Sequence, residues 1–347
     1  MEKKIIVINN LYPPQELGGY GRYISDFANI LHHRGHRITV LTSDAPYLGA
    51  SKGREERVER ILQLYGSYRE LPPKAIEDSA EIKKIIQYNK NMIEQIIAQE
   101  KPDTCLIGNI DFLGHTIFQP FLEAKIPIIH HVAFSQTGYP KEYTPQSQLY
   151  HLSACSQFVK NKIFSLGFPL EDISVIYPGA FVDRYQMPVQ PNREQLRIAF
   201  ASLVLPYKGP QTLVEALGIL HQQDINFYCA IAGDAPNQEF LSQLKNFVVA
   251  RGMEQKVEFI GYLSRPQLID LFGKSNVLVF PSTWEEPFGI SQVEGMAAGL
   301  ALITSATGGA AEIVEHGISG LTFPPKDAPA LARALVSLLQ DRQKWEE

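Results

Sequence analysis

Short runs of β-branched and other apolar residues alternate along this chain with longer stretches whose apolar residues recur every three or four positions. A strand-like run followed by an amphipathic stretch, many times over, is the pattern of βα units around a parallel sheet covered on both faces. In the first half it predicts strands over 4–9, 37–42, 104–107, 127–132, 151–154 and 174–177. The clearest helix is predicted over 74–99, where Ile82, Ile85, Ile86, Ile93, Ile96 and Ile97 share one face and the charges take the other. Another runs from Tyr20 to about Arg34. Gly35 stops it, and His32, His33 and Arg34 put positive charge in its last turn, where the helix dipole favours it. Pro188 and Pro191 mark a junction at 186–195. A second series follows, with strands over 196–201, 227–232, 256–260, 277–280 and 301–304, and helices near 210–222, 237–250, 265–273, 289–298, 309–315 and 327–341. The predicted class is α/β: two doubly wound, Rossmann-like domains, 1–187 and 188–347, with ligands bound in a cleft at the C-terminal ends of the strands.

Composition agrees with this reading and narrows the partners. A length of 347 residues suits two domains at roughly 100 to 200 residues each. With 45% hydrophobic and 20% charged residues, disorder is excluded as the main theme. The net charge of −5 leaves no whole-chain basic field for nucleic acid. Up to Arg184 the chain carries 20 basic and 20 acidic residues, and after it 12 and 17, so the acidity belongs to the second half. Seven of the nine histidines lie in the first half, which acid would make cationic. Cys105, Cys155 and Cys229 sit singly in apolar runs without CxxC spacing and read as buried thiols of a reducing compartment. The apolar run after Lys3-Lys4 is too short for a signal peptide, and the uncharged stretch 295–311 is interrupted by Gly, Ser and Thr. The expected location is cytoplasmic, at most peripheral at a membrane. The mixed-charge segment 52–60 could rest on anionic headgroups but reads better as a solvated face.

The most informative segment runs from Phe280 through Pro-Ser-Thr-Trp-Glu-Glu286-Pro-Phe288-Gly289-Ile290-Ser-Gln-Val-Glu294 to Gly299. A strand ends, a polar loop follows and a helix starts near Gly289, which exposes the backbone N–H groups of Phe288, Gly289 and Ile290 to anions or hydroxyl oxygens. Glu286 precedes that terminus and Glu294 lies about a turn beyond it. An ionised carboxylate only accepts hydrogen bonds, so each suits a vicinal diol. Taken singly, Glu285 and Glu286 read better as a helix-capping charge pair and Glu294 as an exposed helix residue.

The whole segment resembles the Glu-x7-Glu motif of the retaining glycosyltransferases of family 4, two-domain enzymes of the GT-B fold, and nearly the whole segment can be read against that pattern. The resemblance implies that Glu286 and the amides of Phe288, Gly289 and Ile290 engage the transferred sugar, and that Glu294 holds the nucleotide ribose. Gly308-Gly309, with Glu312-Ile-Val behind it, looks like the family's Gly-Gly-x-x-Glu-Ile-Val element, whose glycines approach a phosphate and open a helix. Leu205-Pro-Tyr-Lys208-Gly209 resembles the family's Lys-Gly turn, which implies that Lys208 neutralises the leaving diphosphate. Ser202 and Leu203 stand where the family commonly has Gly and Arg. Ile231-Ala-Gly233-Asp234 and the stretch around Gly261 and Tyr262 resemble family elements in which backbone near Gly261 borders the nucleobase. Gly18-Gly19-Tyr-Gly21 is no dinucleotide fingerprint but resembles the family's Gly-Gly loop, which brings Gly19 toward the donor phosphates and acceptor. His131 is preferred over His130 as a group near the reacting sugar.

The expected function is transfer of a sugar, with retention, from a UDP- or GDP-sugar to an acceptor hydroxyl in polysaccharide or glycolipid assembly. No metal is expected, since no Asp-x-Asp pair stands at a strand end and His130 and His131 point opposite ways along a strand. A non-catalytic nucleotide-sugar-binding partner is the alternative, and a nucleotide-sugar epimerase a weaker one. Leu203 motivates the former, as does an end at Glu347, where family members continue with a helix crossing back onto the first domain.

Overall fold

The computed structural model describes residues 1–49, 56–70, 72–169, 172–185 and 194–340. It forms two compact units, Met1–Pro178 and Gly179–Glu347. The expected boundary at 187/188 falls outside the described residues, as do 341–347, where the question of a crossover helix lies.

The first unit holds β1 (Lys4–Ile8), α1 (Tyr20–His33), β2 (Arg37–Ser43), β3 (Arg57–Leu62), the small antiparallel pair β4 (Gly66–Ser67) and β5 (Lys74–Ala75), and α2 (Ser79–Glu100). It continues with β6 (Thr104–Ile107), α3 (Gln119–Glu123), β7 (Ile128–Val132), β8 (Tyr150–Ala154), α4 (Gln157–Ser165) and β9 (Ser174–Val175). Its seven-stranded sheet has the order β3-β2-β1-β6-β7-β8-β9, parallel throughout. The strand order reverses at β1/β6, the switch point of a doubly wound sheet. Helix α1 ends as its sequence suggests: Gly35, at φ +85°, donates to the carbonyl of His32 at 2.9 Å.

Three local readings change. Strand β3 was not anticipated, because Arg-Val-Glu-Arg-Ile-Leu lacks a clean alternation. It lies at the sheet edge, where charges guard against further pairing, and Arg57 bonds Glu59 and Glu100 at 2.6 Å each. The part of segment 52–60 that is described is thus mostly strand. Helix α2 starts five residues late, since Lys74 and Ala75 pair in the small hairpin and Asp78 caps the helix through the N–H groups of Ala80 and Glu81. The strand expected over 174–177 ends at Val175, and Ile176 and Tyr177 are exposed.

The second unit holds α5 (Val182–Tyr185), β10 (Leu196–Ala201), α6 (Pro210–Gln222), β11 (Phe227–Ala232), α7 (Gln238–Ala250), β12 (Val257–Gly261) and α8 (Arg265–Gly273). It continues with β13 (Val277–Phe280), α9 (Ile290–Ala297), β14 (Ala301–Thr304), β15 (Leu321–Thr322) and α10 (Ala328–Gln340). The six-stranded sheet runs β12-β11-β10-β13-β14-β15, again parallel, with its switch point at β10/β13. Both faces are buried, as continuous apolar strands require. Ile198, Phe200, Val277 and Val279 join one core with Leu213, Leu217, Leu331 and Leu335, while Ala199, Leu278 and Leu302 join another with Leu268, Phe272 and Tyr185.

Candidate active site

In the second unit the loops after β10, β13 and β14 meet through backbone contacts that require glycine. After β10, Pro206–Lys208 makes one tight turn and Gly209 follows at φ +74°. A Cβ on Gly209 would stand 1.9 Å from the carbonyl oxygen of Pro281, so only glycine lets this turn lie against the loop after β13. The Thr283 N–H donates to the Tyr207 carbonyl at 2.8 Å.

That docking fixes Lys208 and Glu286 together. Lys208 Nζ lies 2.7 Å from Oε1 and 2.9 Å from Oε2 of Glu286, and the Ser282 hydroxyl donates to Oε1 at 2.6 Å. Both side chains are largely withdrawn from water, 18% exposed for Lys208 and 5% for Glu286. A carboxylate so placed costs several kcal/mol in desolvation unless compensated, and the ammonium and hydroxyl supply that compensation. Beside the pair, Tyr207 and Trp284 keep exposed rings 6.0 Å apart. Burial and the Glu286 charge raise the Tyr207 phenol above its ordinary pKa.

The backbone of Glu286 is held as firmly. Gly309 donates its N–H to the Glu286 carbonyl at 2.7 Å in a short parallel bridge between Glu286 and Gly308. Gly308 has φ +61°, and a Cβ there would come within 2.6 Å of that carbonyl oxygen. The glycine pair therefore positions the carboxylate's own backbone. The helix expected over 309–315 is corrected: Gly309–Glu312 is one 3₁₀ turn, too short to supply a helix dipole. Helix α9 does begin where expected. Gly289, at φ +100°, precedes Ile290, and no side chain caps the terminus among the described residues. Phe288 is buried beside it.

Glu294 is no exposed helix residue. It is fully buried, accepts a hydrogen bond from the Tyr185 hydroxyl at 2.7 Å, and lies 3.8 Å from Arg265 Nη2. Gly261, at φ +81°, accepts the Gly233 N–H at 2.8 Å, and the next residue, Tyr262, is half exposed. A Cβ on Gly233 would stand 1.8 Å from the Ser202 carbonyl oxygen, which gives that glycine a structural reason of its own.

In the first unit Gly19 is the residue before α1, after Gly18 at φ +72°. His131 is enclosed: its Nδ1 meets the Ser153 hydroxyl at 2.9 Å, its ring packs edge-on against Tyr23 and Phe27, and it is fully buried. His130 is equally buried, on the other side of β7, with Nδ1 2.8 Å from the Tyr150 hydroxyl. Burial holds both imidazoles at a pKa of about 3, His131 adding repulsion on His130, so both are neutral. A hydrogen bond from His131 to a sugar would need this aromatic packing to open.

Three partners escaped the sequence reading. Ser282 stands four residues before Glu286 in the quoted motif but carries no mark of its own. Tyr185 and Arg265 reach Glu294 from other helices, across chain separations that no local pattern records.

The fold is the GT-B fold of two Rossmann-like units. One solved structure sharing it is Alr3699/HepE of Anabaena, in complex with UDP and glucose, which matches with a TM-score of 0.73 at 20% identity over 99% of this chain and 91% of that one. Residues 183–347 match the family Glycosyl transferases group 1. The uncharacterized glycosyltransferase MJ1607 of Methanocaldococcus jannaschii is 24% identical over 97% of this chain and 89% of its own. The amylovoran biosynthesis glycosyltransferase AmsK of Erwinia amylovora is 27% identical over 63% of this chain, which spans about half, 54%, of that protein.

Proposed function

We propose that this protein transfers a sugar from a nucleoside diphosphate sugar to an acceptor hydroxyl, with retention and without a metal ion. The observation that carries the reading is the pairing of Lys208 with Glu286 at the mouth of α9. It sets an ammonium, a carboxylate and an uncapped helix terminus around one place, the groups that leaving-group departure from a sugar demands. Lys208 shares its charge with the diphosphate as it departs. Glu286, oriented by Ser282 and Gly309, accepts from sugar hydroxyls, and the amides of Gly289 and Ile290 donate to them. Glu294 accepts from the ribose diol, and backbone at Gly261 borders the base. The complex of HepE with UDP and glucose supports a nucleotide-sugar donor, and the likeness to AmsK supports a polysaccharide or glycolipid acceptor.

The test is thermal unfolding of the purified chain with UDP-, GDP- and ADP-sugars in the presence of EDTA. A ligand that binds the native state raises the midpoint by mass action. One nucleotide family is expected to raise it, EDTA to leave the rise intact, and Glu294→Ala to abolish it. No rise with any donor removes the donor-site reading. For a donor that binds, the anomeric configuration of the product by NMR checks retention.

A further inference from the structure

The buried carboxylate of Glu294 is held by two side chains that no motif predicts, and their arrangement is a relay. The Tyr185 hydroxyl donates to Oε1 at 2.7 Å and accepts from Arg265 Nε at 3.3 Å, while Arg265 Nη2 lies 3.8 Å from the same Oε1. The three residues come from three helices of one unit: Tyr185 ends α5, Arg265 opens α8 and Glu294 lies in the second turn of α9. Each is fixed from behind. Ser264 and Gln267 form a capping box that sets the start of α8, and the Tyr185 ring packs within the core that includes Phe272, 6.4 Å away between centroids. Glu294 itself is fully buried and Arg265 is 17% exposed.

A fully buried carboxylate has two ways to lower its cost, protonation or compensation by donors. A nearby guanidinium supplies a charged donor, and a tyrosine hydroxyl gives one oxygen a fixed partner. Rotation of the carboxyl about its terminal torsion, which is otherwise broad, is thereby restricted.

The geometry points to Tyr185 and Arg265 as positioning residues that hold the Glu294 carboxyl aimed, so that the site selects nucleotides carrying a ribose diol over their deoxy counterparts. This rests on the donor-site reading above and adds to it which residues give that site its selectivity for the sugar of the nucleotide. Tyr185 and Arg265 act through Glu294. Removing the hydroxyl of Tyr185 frees the carboxyl to turn, and a diol then meets an acceptor that is no longer set for two hydrogen bonds.

Calorimetric titration of the full chain with UDP, GDP and ADP, each beside its 2′-deoxy and 3′-deoxy form, tests this. Tyr185→Phe keeps the ring and its packing and deletes only the hydroxyl. Its affinity for the preferred ribonucleotide is expected to fall roughly tenfold, the scale of a lost hydrogen bond to a charged group, while affinity for the deoxy forms stays as in the wild type. The ribose-to-deoxyribose ratio therefore collapses. Arg265→Gln is expected to act in the same sense. A Tyr185→Phe protein with an unchanged thermal midpoint and the wild-type ratio overturns the proposal. Equal loss of ribo and deoxy binding also overturns it, since that marks a merely structural role. If no nucleotide binds the wild type, the donor-site reading falls and this one with it, whereas binding without ribose selectivity in the wild type defeats this one alone.

Discussion

At the scale of single residues, Lys208 and Glu286 form the centre of the candidate site, and each answers a different demand. Lys208 is a compact charge on a flexible stem, held 2.7 Å from the Glu286 carboxylate. Glu286 has a fixed backbone, through Gly309, and a fixed side chain, through Ser282 and Lys208. Replacing Glu286 by Gln preserves the shape and one acceptor oxygen but removes the charge that faces Lys208. In steady-state kinetics Glu286→Gln is expected to lower kcat about 10²-fold while UDP affinity changes little, because the lost interaction belongs to the reacting sugar. A loss confined to KM would place Glu286 in ground-state binding instead. Gly308→Ala is expected to be nearly as damaging although it removes no functional group. Its methyl would overlap the Glu286 carbonyl, and the left-handed φ of +61° adds strain.

Among the elements, the sequence announced the helices with strong apolar periodicity and the strands with uninterrupted apolar runs. It was silent where an element is short or lies at an edge. The second-unit strands β10, β11, β13 and β14 stand within a residue of expectation, because burial on both faces leaves few polar positions to blur the run. Strand β3 could not be read, since Arg57, Glu59 and Arg60 break its apolar pattern and only its pairing with β2 makes it a strand. The start of α2 was blurred because Lys74 and Ala75 fit a helix as well as a hairpin, and only pairing with Gly66 and Ser67 decides between them. Asp78, the true cap, accepts from Ala80 at 2.8 Å and Glu81 at 3.3 Å. Asp78→Ala is expected to lower the stability of the first unit by about 1 kcal/mol, measured as a reduced denaturant midpoint at unchanged slope. No change would mean that α2 is held by its packing on Ile85, Ile93 and Ile96 alone.

At the scale of the whole molecule, the first unit holds two buried imidazoles, His130 and His131, that are kept neutral. Their folded pKa of about 3 lies below the ordinary value of 6.5, so between these limits the unfolded chain binds more protons. Stability is then full above about pH 6.5 and falls as the pH drops toward 3, by up to ~1.4 kcal/mol per pH unit for each histidine. Asp111 works in the opposite sense just above pH 3.8, since burial raises its carboxyl. Urea unfolding from pH 7 to 4 should show the midpoint falling below pH 6.5, with a shallower fall in His131→Leu. A midpoint flat across that range would mean that the imidazoles are solvated in the native state. Among the described residues no helix is long and apolar enough to cross a membrane.

The sequence by itself determined the alternation of strands and helices, the doubly wound class and the segment from Phe280 to Gly299, because apolar periodicity and chain-local spacing are written in consecutive residues. It also placed Glu286 and Glu294 in one motif eight residues apart. Only the tertiary structure decided what each carboxylate touches. Lys208 reaches Glu286 because Gly209 lets two loops approach within van der Waals contact, and Tyr185 meets Glu294 because three helices pack on one face of a sheet. The same packing enclosed His131 in an aromatic core, where its position at the end of a strand had suggested an open site. Strand order, close backbone approach and burial join residues far apart in the chain, and hydrogen bonds and ion pairs follow those distances in space.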